Sequence, residues 1–234
     1  MDSSARLADL RQRGHIVKIC GLRQAGHAVA AADAGADLLG MIFAPSRQQL
    51  TPEQAAELVA TVRTESPEAT PLITGVFVDE APATINRIAA AVGLDVIQLN
   101  GSEDLEAMCQ IAYPLIRAVR PKPPANLATV KTELGSLRVK DQIPALWMID
   151  AWDPVHHGGI GRRSDWKIAA GLARSEPLIL AGGLNPENVE EAIATVMPLG
   201  VDVSSGVETD GTKDSAKIRA FVTRAKAAFA ASHT

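Results

Sequence analysis

Short aliphatic runs alternate along this chain with longer amphipathic stretches, each pair separated by a turn. The runs at 16–20, 37–43, 72–78, 94–99, 114–119, 144–150, 177–181 and 199–204 predict strands. The stretches at 24–34, 52–65, 81–92, 102–112, 125–138, 165–174, 186–196 and 214–231 predict helices. Strands alternating with helices imply βαβ crossovers and a parallel sheet. Eight such units in 234 residues fit a single-domain α/β fold, a closed (β/α)8 TIM barrel, better than an open doubly wound sheet. No GxGxxG follows the first strand, which argues against a dinucleotide-binding half. No Pro/Gly/Ser-rich linker divides the chain, so the expected catalytic domain is 16–234, preceded by a polar, helix-capable extension over 1–15. Thr51-Pro52-Glu53, Ala81-Pro82 and Asn185-Pro186-Glu187 place proline in a first helical turn, the first and last behind a polar capping residue.

Composition narrows the function classes. Hydrophobic residues make up 47% of the chain and aromatics only 3%, an aliphatic bias that suits parallel strands buried on both faces. A net charge of −4 without a basic tract gives no nucleic-acid or membrane-surface signal. The two cysteines, Cys20 and Cys109, have no CxxC or histidine-linked spacing, so neither a metal site nor a disulfide framework is expected. There is no apolar signal core and no membrane-spanning run, so the expectation is a cytoplasmic protein.

In a barrel of this kind the chemistry sits at the C-terminal strand ends and in the loops after them. The first strand ends in Val17-Lys18-Ile19-Cys20-Gly21, which carries a thiol to the lip of the sheet. Alternation puts Lys18 on the same face one layer deeper, where it is expected to pair with a carboxylate and to be able to depress the thiol pKa. The sixth strand ends in Asp150, a carboxylate that needs a use or a hydrogen bond after so apolar a run. Strands one and six face each other across the mouth, and a thiolate base opposite a carboxylic acid is a proton-transfer pair. The loop after strand two carries Arg47, and strand four ends in Gln98-Leu-Asn100-Gly101. Gly182 and Gly183 after strand seven, with Ser204, Ser205 and Gly206 after strand eight, supply close backbone approach, amides and hydroxyls at the usual barrel phosphate site. His156 and His157 read as passive loop residues, and Cys109 as core.

Taken together, Lys18-Ile-Cys-Gly-Leu22, Gln98-Leu-Asn-Gly101, Ile149-Asp150-Ala151, Gly158-Gly-Ile-Gly161 with Asp165-Trp166, Ala181-Gly-Gly-Leu-Asn-Pro-Glu-Asn188 and Gly200-Val-Asp-Val-Ser-Ser-Gly-Val-Glu208 resemble the phosphoribosylanthranilate isomerases of tryptophan biosynthesis over about residues 16–230. The resemblance implies an Amadori rearrangement of a small phosphorylated substrate with no cofactor or metal, by a monomer or homodimer. It implies that Asp150 is the general acid that opens the ribose ring and Cys20 the general base that removes the C2 proton. It also implies that Gly159 joins the glycine and serine loops at the phosphate, that Asp202 faces the sugar hydroxyls, and that Gln98 and Asn100 line the substrate. Two positions depart from the family pattern. Asn100 stands where the family usually has histidine, and Gln48 follows Arg47 where a second arginine is common, which puts recognition of the anthranilate carboxylate at issue. Two other functions therefore stand beside the first: a paralogue acting on another phosphorylated ribosylamine, and a non-catalytic phosphosugar-binding barrel.

Overall fold

The computed structural model describes residues 2–69, 71–138, 144–151 and 164–232. Eight parallel strands close into one barrel in sequence order: β1 (Ile16–Cys20), β2 (Leu38–Ile42), β3 (Leu72–Phe77), β4 (Val96–Leu99), β5 (Leu115–Val119), β6 (Leu146–Ile149), β7 (Leu178–Leu180) and β8 (Gly200–Val203). Closure is made by β8 pairing with β1, with Lys18 beside Asp202. All eight predicted strands form, each trimmed by at most two residues per end.

Helices α2 (Ala25–Asp33), α3 (Pro52–Glu65), α4 (Pro82–Val92), α5 (Leu105–Cys109), α6 (Leu127–Ser136), α7 (Trp166–Ala173), α8 (Val189–Val196) and α9 (Ser215–Ala231) fill the crossovers. The Thr51 cap forms as expected: its side chain accepts from Gln54 N while the Gln54 side chain accepts from Thr51 N. The third proline signal is displaced. Asn185 caps a turn rather than the helix, its Oδ1 accepting from Glu187 N and Asn188 N, and α8 begins only at Val189. Cys109, expected in the core, is exposed. In so short a helix a single step of 100° separates a buried position, Met108, from a solvent-facing one.

Residues 3–13 form a further helix, α1 (Ser3–Arg13), whose Leu7 and Leu10 are buried. These two leucines join a cluster with Ile16, Leu38, Leu72, Val96, Ile116, Ala118, Leu146, Met148, Ile179 and Ala181, the inward-facing side chains of the strands. The polar extension thus contributes an i, i+3 pair that stops the N-terminal end of the barrel with apolar surface. A separate and larger cluster lies between the sheet and the outer helices. The barrel interior is therefore apolar at its base. Two residues further along, four of the strands turn polar: Lys18, Thr74, Gln98 and Asp202 are all buried there. That change marks the end at which a ligand is received.

Candidate active site

Strand alternation carries this polar layer one step further, to the mouth. Two residues beyond Lys18, Gln98, Ala118, Met148, Ala181 and Asp202 come Cys20, Asn100, Arg120, Asp150, Gly183 and Ser204. The ladder continues past the strand ends, since Asp150 N donates to Val119 O at 3.0 Å and Asn100 N to Phe77 O at 2.9 Å. Cys20 is buried; Asp150 is half-buried.

Beneath Cys20, Lys18 is fully buried and donates to Asp202 Oδ1 at 2.7 Å. Burial alone would lower the lysine pKa, but Asp202 and Cys20 hold it above its ordinary value. The expected core lysine with a carboxylate partner is present. Its effect on the thiol is smaller than expected, because burial raises the Cys20 pKa above 9.0 and the nearby ammonium only limits that rise. Space around this pair is closed by Gly40, where a Cβ would stand 2.8 Å from Cys20 Sγ and 3.1 Å from Lys18 Nζ. Only glycine fits here.

Asp150 is pushed up to about 6, chiefly by burial and further by the negative Asp202; the Ala151 amide, Arg120 and Lys18 oppose the rise. Its Oδ1 accepts from Ala151 N at 2.7 Å, which fixes the carboxyl at the strand end. A carboxyl poised near 6 can both give and take a proton at neutral pH.

The loops after β7 and β8 interlock. Gly182 and Gly183 have φ of +86° and +67°, and a Cβ on Gly206 would lie 1.8 Å from Leu184 O. Asn188 Nδ2 donates to Gly183 O at 2.9 Å and its Oδ1 accepts from Asn185 N, so the α8 start holds the glycine loop. After β8 the chain makes a single 3₁₀ turn, Ser205–Val207, and then a small hairpin, β9 (Glu208–Thr209) with β10 (Thr212–Lys213). Gly182, Gly183, Ser204, Ser205 and Gly206 are thus brought to one place. Gly159, His156 and His157 lie outside the described residues.

Arg47 and Gln48 are placed differently from the rest. Arg47 Nη2 donates to Glu208 Oε2 at 2.6 Å and its Nη1 to Gly211 O at 2.7 Å. Gln48 Nε2 donates to Glu208 Oε1 at 2.6 Å, and Lys213 Nζ reaches the same oxygen at 2.9 Å. Glu208 is the node that ties the loop after β2 to the hairpin after β8; burial pushes its pKa up, but Lys213 and Arg47 bring it below the ordinary value. Across the mouth, Gln98 Nε2 donates to Asn100 Oδ1 at 2.9 Å, while Gln98 Oε1 and Thr74 Oγ1 are buried with no hydrogen-bond partner among the described residues. These two oxygens are acceptors directed into the polar layer. Arg117 binds Glu103 Oε2 at 2.5 Å and Gly101 O at 3.0 Å, bracing the loop after β4.

Sequence reasoning did not single out Gly40, Glu208, Lys213 or Arg120. The glycine and Arg120 were legible in principle, as inward positions two residues beyond Leu38 and Ala118. Two of the partners of Glu208, Arg47 and Gln48, stand about 160 residues away and leave no sequence signal.

Among the described residues no group of three or more His, Cys, Asp or Glu is arranged to hold a metal, and no helix is long and apolar enough to cross a membrane. Comparison with known proteins gives a consistent picture. A curated N-(5'-phosphoribosyl)anthranilate isomerase of Roseiflexus sp. (strain RS-1) is 46% identical over 215 residues, covering 91% of this chain and 98% of that one. The crystal structure of phosphoribosyl anthranilate isomerase from Thermotoga maritima superposes with a TM-score of 0.76 at 34% identity, covering 91% of this chain and 98% of that one. A phosphoribosyl anthranilate isomerase solved in complex with reduced 1-(o-carboxyphenylamino)-1-deoxyribulose 5-phosphate gives a TM-score of 0.72 at 34% identity, with the same coverage. The family profile described as N-(5'phosphoribosyl)anthranilate (PRA) isomerase matches residues 17–224, and the chain belongs to that family.

Proposed function

We propose that this barrel carries out its family's reaction, the isomerisation of N-(5-phosphoribosyl)anthranilate to 1-(2-carboxyphenylamino)-1-deoxyribulose 5-phosphate in tryptophan biosynthesis, with Asp150 as acid and Cys20 as base. The observation that carries the assignment is positional. A thiol ending β1 and a carboxyl ending β6 face the same mouth, with the glycine and serine loops of β7 and β8 between them.

Ring opening needs a proton on the ribose ring oxygen, and Asp150, raised to about 6, holds one in a useful fraction of molecules near neutrality. The oxygen leaves as a hydroxyl and the anomeric carbon becomes a protonated Schiff base, beside the carboxylate just formed. C2 is then acidified by the adjacent iminium, and the Cys20 thiolate removes its proton to give an enolamine, which tautomerises to the ketose. In the resting enzyme burial keeps this thiol protonated. The positive Schiff base and Lys18 both favour the thiolate the step requires. Amides and hydroxyls of Gly182, Gly183, Ser204, Ser205 and Gly206 bind the phosphate, holding C2 in register with the base. Asp202, Gln98 and Asn100 meet the sugar hydroxyls.

The test is a fluorescence assay in which the labile substrate is generated in situ and its decay followed with wild type and with Cys20→Ala. Fast decay with wild type alone supports both the reaction and the base. No decay with folded wild type turns the search to a different aglycone.

A further inference from the structure

The substrate carries two anions, a phosphate and an aromatic carboxylate, and the glycine and serine loops can take only one of them. A carboxylate entering a half-buried mouth needs a cation with donors in a planar fork, and arginine supplies that geometry. Among the described residues, four cations of this end of the barrel are bound to three acids. Lys18 holds Asp202, Arg117 holds Glu103, and Arg47 and Lys213 both hold Glu208. Gln48, at the position where the family commonly has an arginine, brings no charge and is bound to the same Glu208. Arg23 is exposed and donates to Arg47 O at 2.8 Å.

Arg120 differs from these in where it stands. It follows Ala118 in the inward alternation of β5, so it stands in the ring that also contains Cys20 and Asp150. The register Val119↔Ile149 sets it directly beside Asp150. Its Nη2 donates to the main-chain oxygen of Asn100, so the guanidinium lies against the end of β4, with Asp150, Glu103 and Asp79 as its acidic neighbours.

From this geometry we infer that Arg120 is the residue that reads the aromatic carboxylate, a specificity role transferred from the loop after β2 to the end of β5. This rests on the isomerase reading above. Two features of the chain then make joint sense. The loop after β2 can lack its second arginine, because the charge is supplied from another strand. Asn100 receives Arg120 on its main-chain oxygen while its side chain is held by Gln98 Nε2. In this position Arg120 is next to the acid, and burial lowers its own pKa while Asp150 supports its charge.

Turnover alone does not test this, because removing Arg120 also removes a cation beside Asp150. Two stable probes do: 1-(2-carboxyphenylamino)-1-deoxyribitol 5-phosphate and the phenylamino compound lacking the carboxylate. Their Kd values, measured by calorimetry with wild type, Arg120→Met and Arg120→Lys, give a preference ratio from which effects common to both probes cancel. Wild type is expected to prefer the carboxylated probe on the order of 10- to 100-fold, as for a charge-assisted contact. Arg120→Met should abolish that preference while binding the second probe as wild type does, and Arg120→Lys should keep part of it. A preference retained in Arg120→Met, or lost instead in Arg47→Met, overturns the assignment. If wild type binds both probes equally yet isomerises phosphoribosylanthranilate, this inference fails and the function stands. If wild type neither binds the probes nor turns over the substrate, both fail.

Discussion

Lys18 and Asp202 form a buried ion pair, 2.7 Å from Nζ to Oδ1, beneath the Cys20 thiol and bridging the strands that close the barrel. It joins barrel closure to the electrostatics of Cys20. A buried pair tolerates loss of one member poorly, because the remaining charge is left without compensation. Lys18→Met should therefore destabilise the fold by about 3–5 kcal/mol in urea titrations. It should also raise the Cys20 pKa further, read as a shift to higher pH in the rate of thiol alkylation. An unchanged alkylation profile would separate the lysine from the base.

Replacement of either proton-transfer group should be severe. Cys20→Ala and Asp150→Asn are each expected to lower kcat on the order of 10²–10⁴-fold, the range for positioned acids and bases. Steady-state assays of both, with circular dichroism as a check on folding, decide this. Activity within a few-fold of wild type in either variant removes that residue from its role.

The pH profile follows from the two shifted groups. In the proposed roles Asp150, at about 6, acts protonated and Cys20, whose pKa burial raises, acts as the thiolate. The population holding both is small and nearly constant between these values, so kcat/KM should be flat from about pH 6 to the thiol pKa and fall on either side. In Asp150→Asn the break near 6 should vanish and the residual rate should rise steadily with pH. A break near 6 that survives in Asp150→Asn would assign it to another group.

The same carboxyl makes a stability prediction of opposite sign to its activity. With a native pKa of about 6 against an ordinary 3.8, Asp150 binds its proton more tightly in the folded chain. Its favourable contribution is present below 3.8 and is lost as pH rises through 6, after which a partly buried charge weighs against the fold. Asp150→Asn should gain up to about 3 kcal/mol at pH 7, a gain that disappears near pH 3.5. Equal effects at the two pH values would contradict the raised pKa.

Gly206 lies against the preceding loop, where a Cβ would overlap Leu184 O. Gly206→Ala must push the β7 and β8 loops apart, so KM and the inhibition constant of inorganic phosphate should both rise about tenfold or more. The fall in kcat should be smaller. A variant that keeps its phosphate affinity would place the anion elsewhere.

Eight apolar runs, eight amphipathic stretches and the residues that end the strands determined the barrel, because period and polarity are local properties of the chain. The strand-end positions of Cys20, Asp150 and the glycine and serine loops were legible for the same reason, because strand ends can be counted along the chain. Tertiary structure decided the rest. Cys109 left the core through one step of helical rotation, and residues 3–13 became the stopper of the barrel base because Leu7 and Leu10 found the inward strand residues. Arg47 and Gln48 were drawn to Glu208, and Arg120 was brought beside Asp150. Those last pairings join residues 30 to 160 positions apart, whose distance is set only when the barrel closes. Charge along the chain names the candidates; closure alone chooses which acid each cation meets.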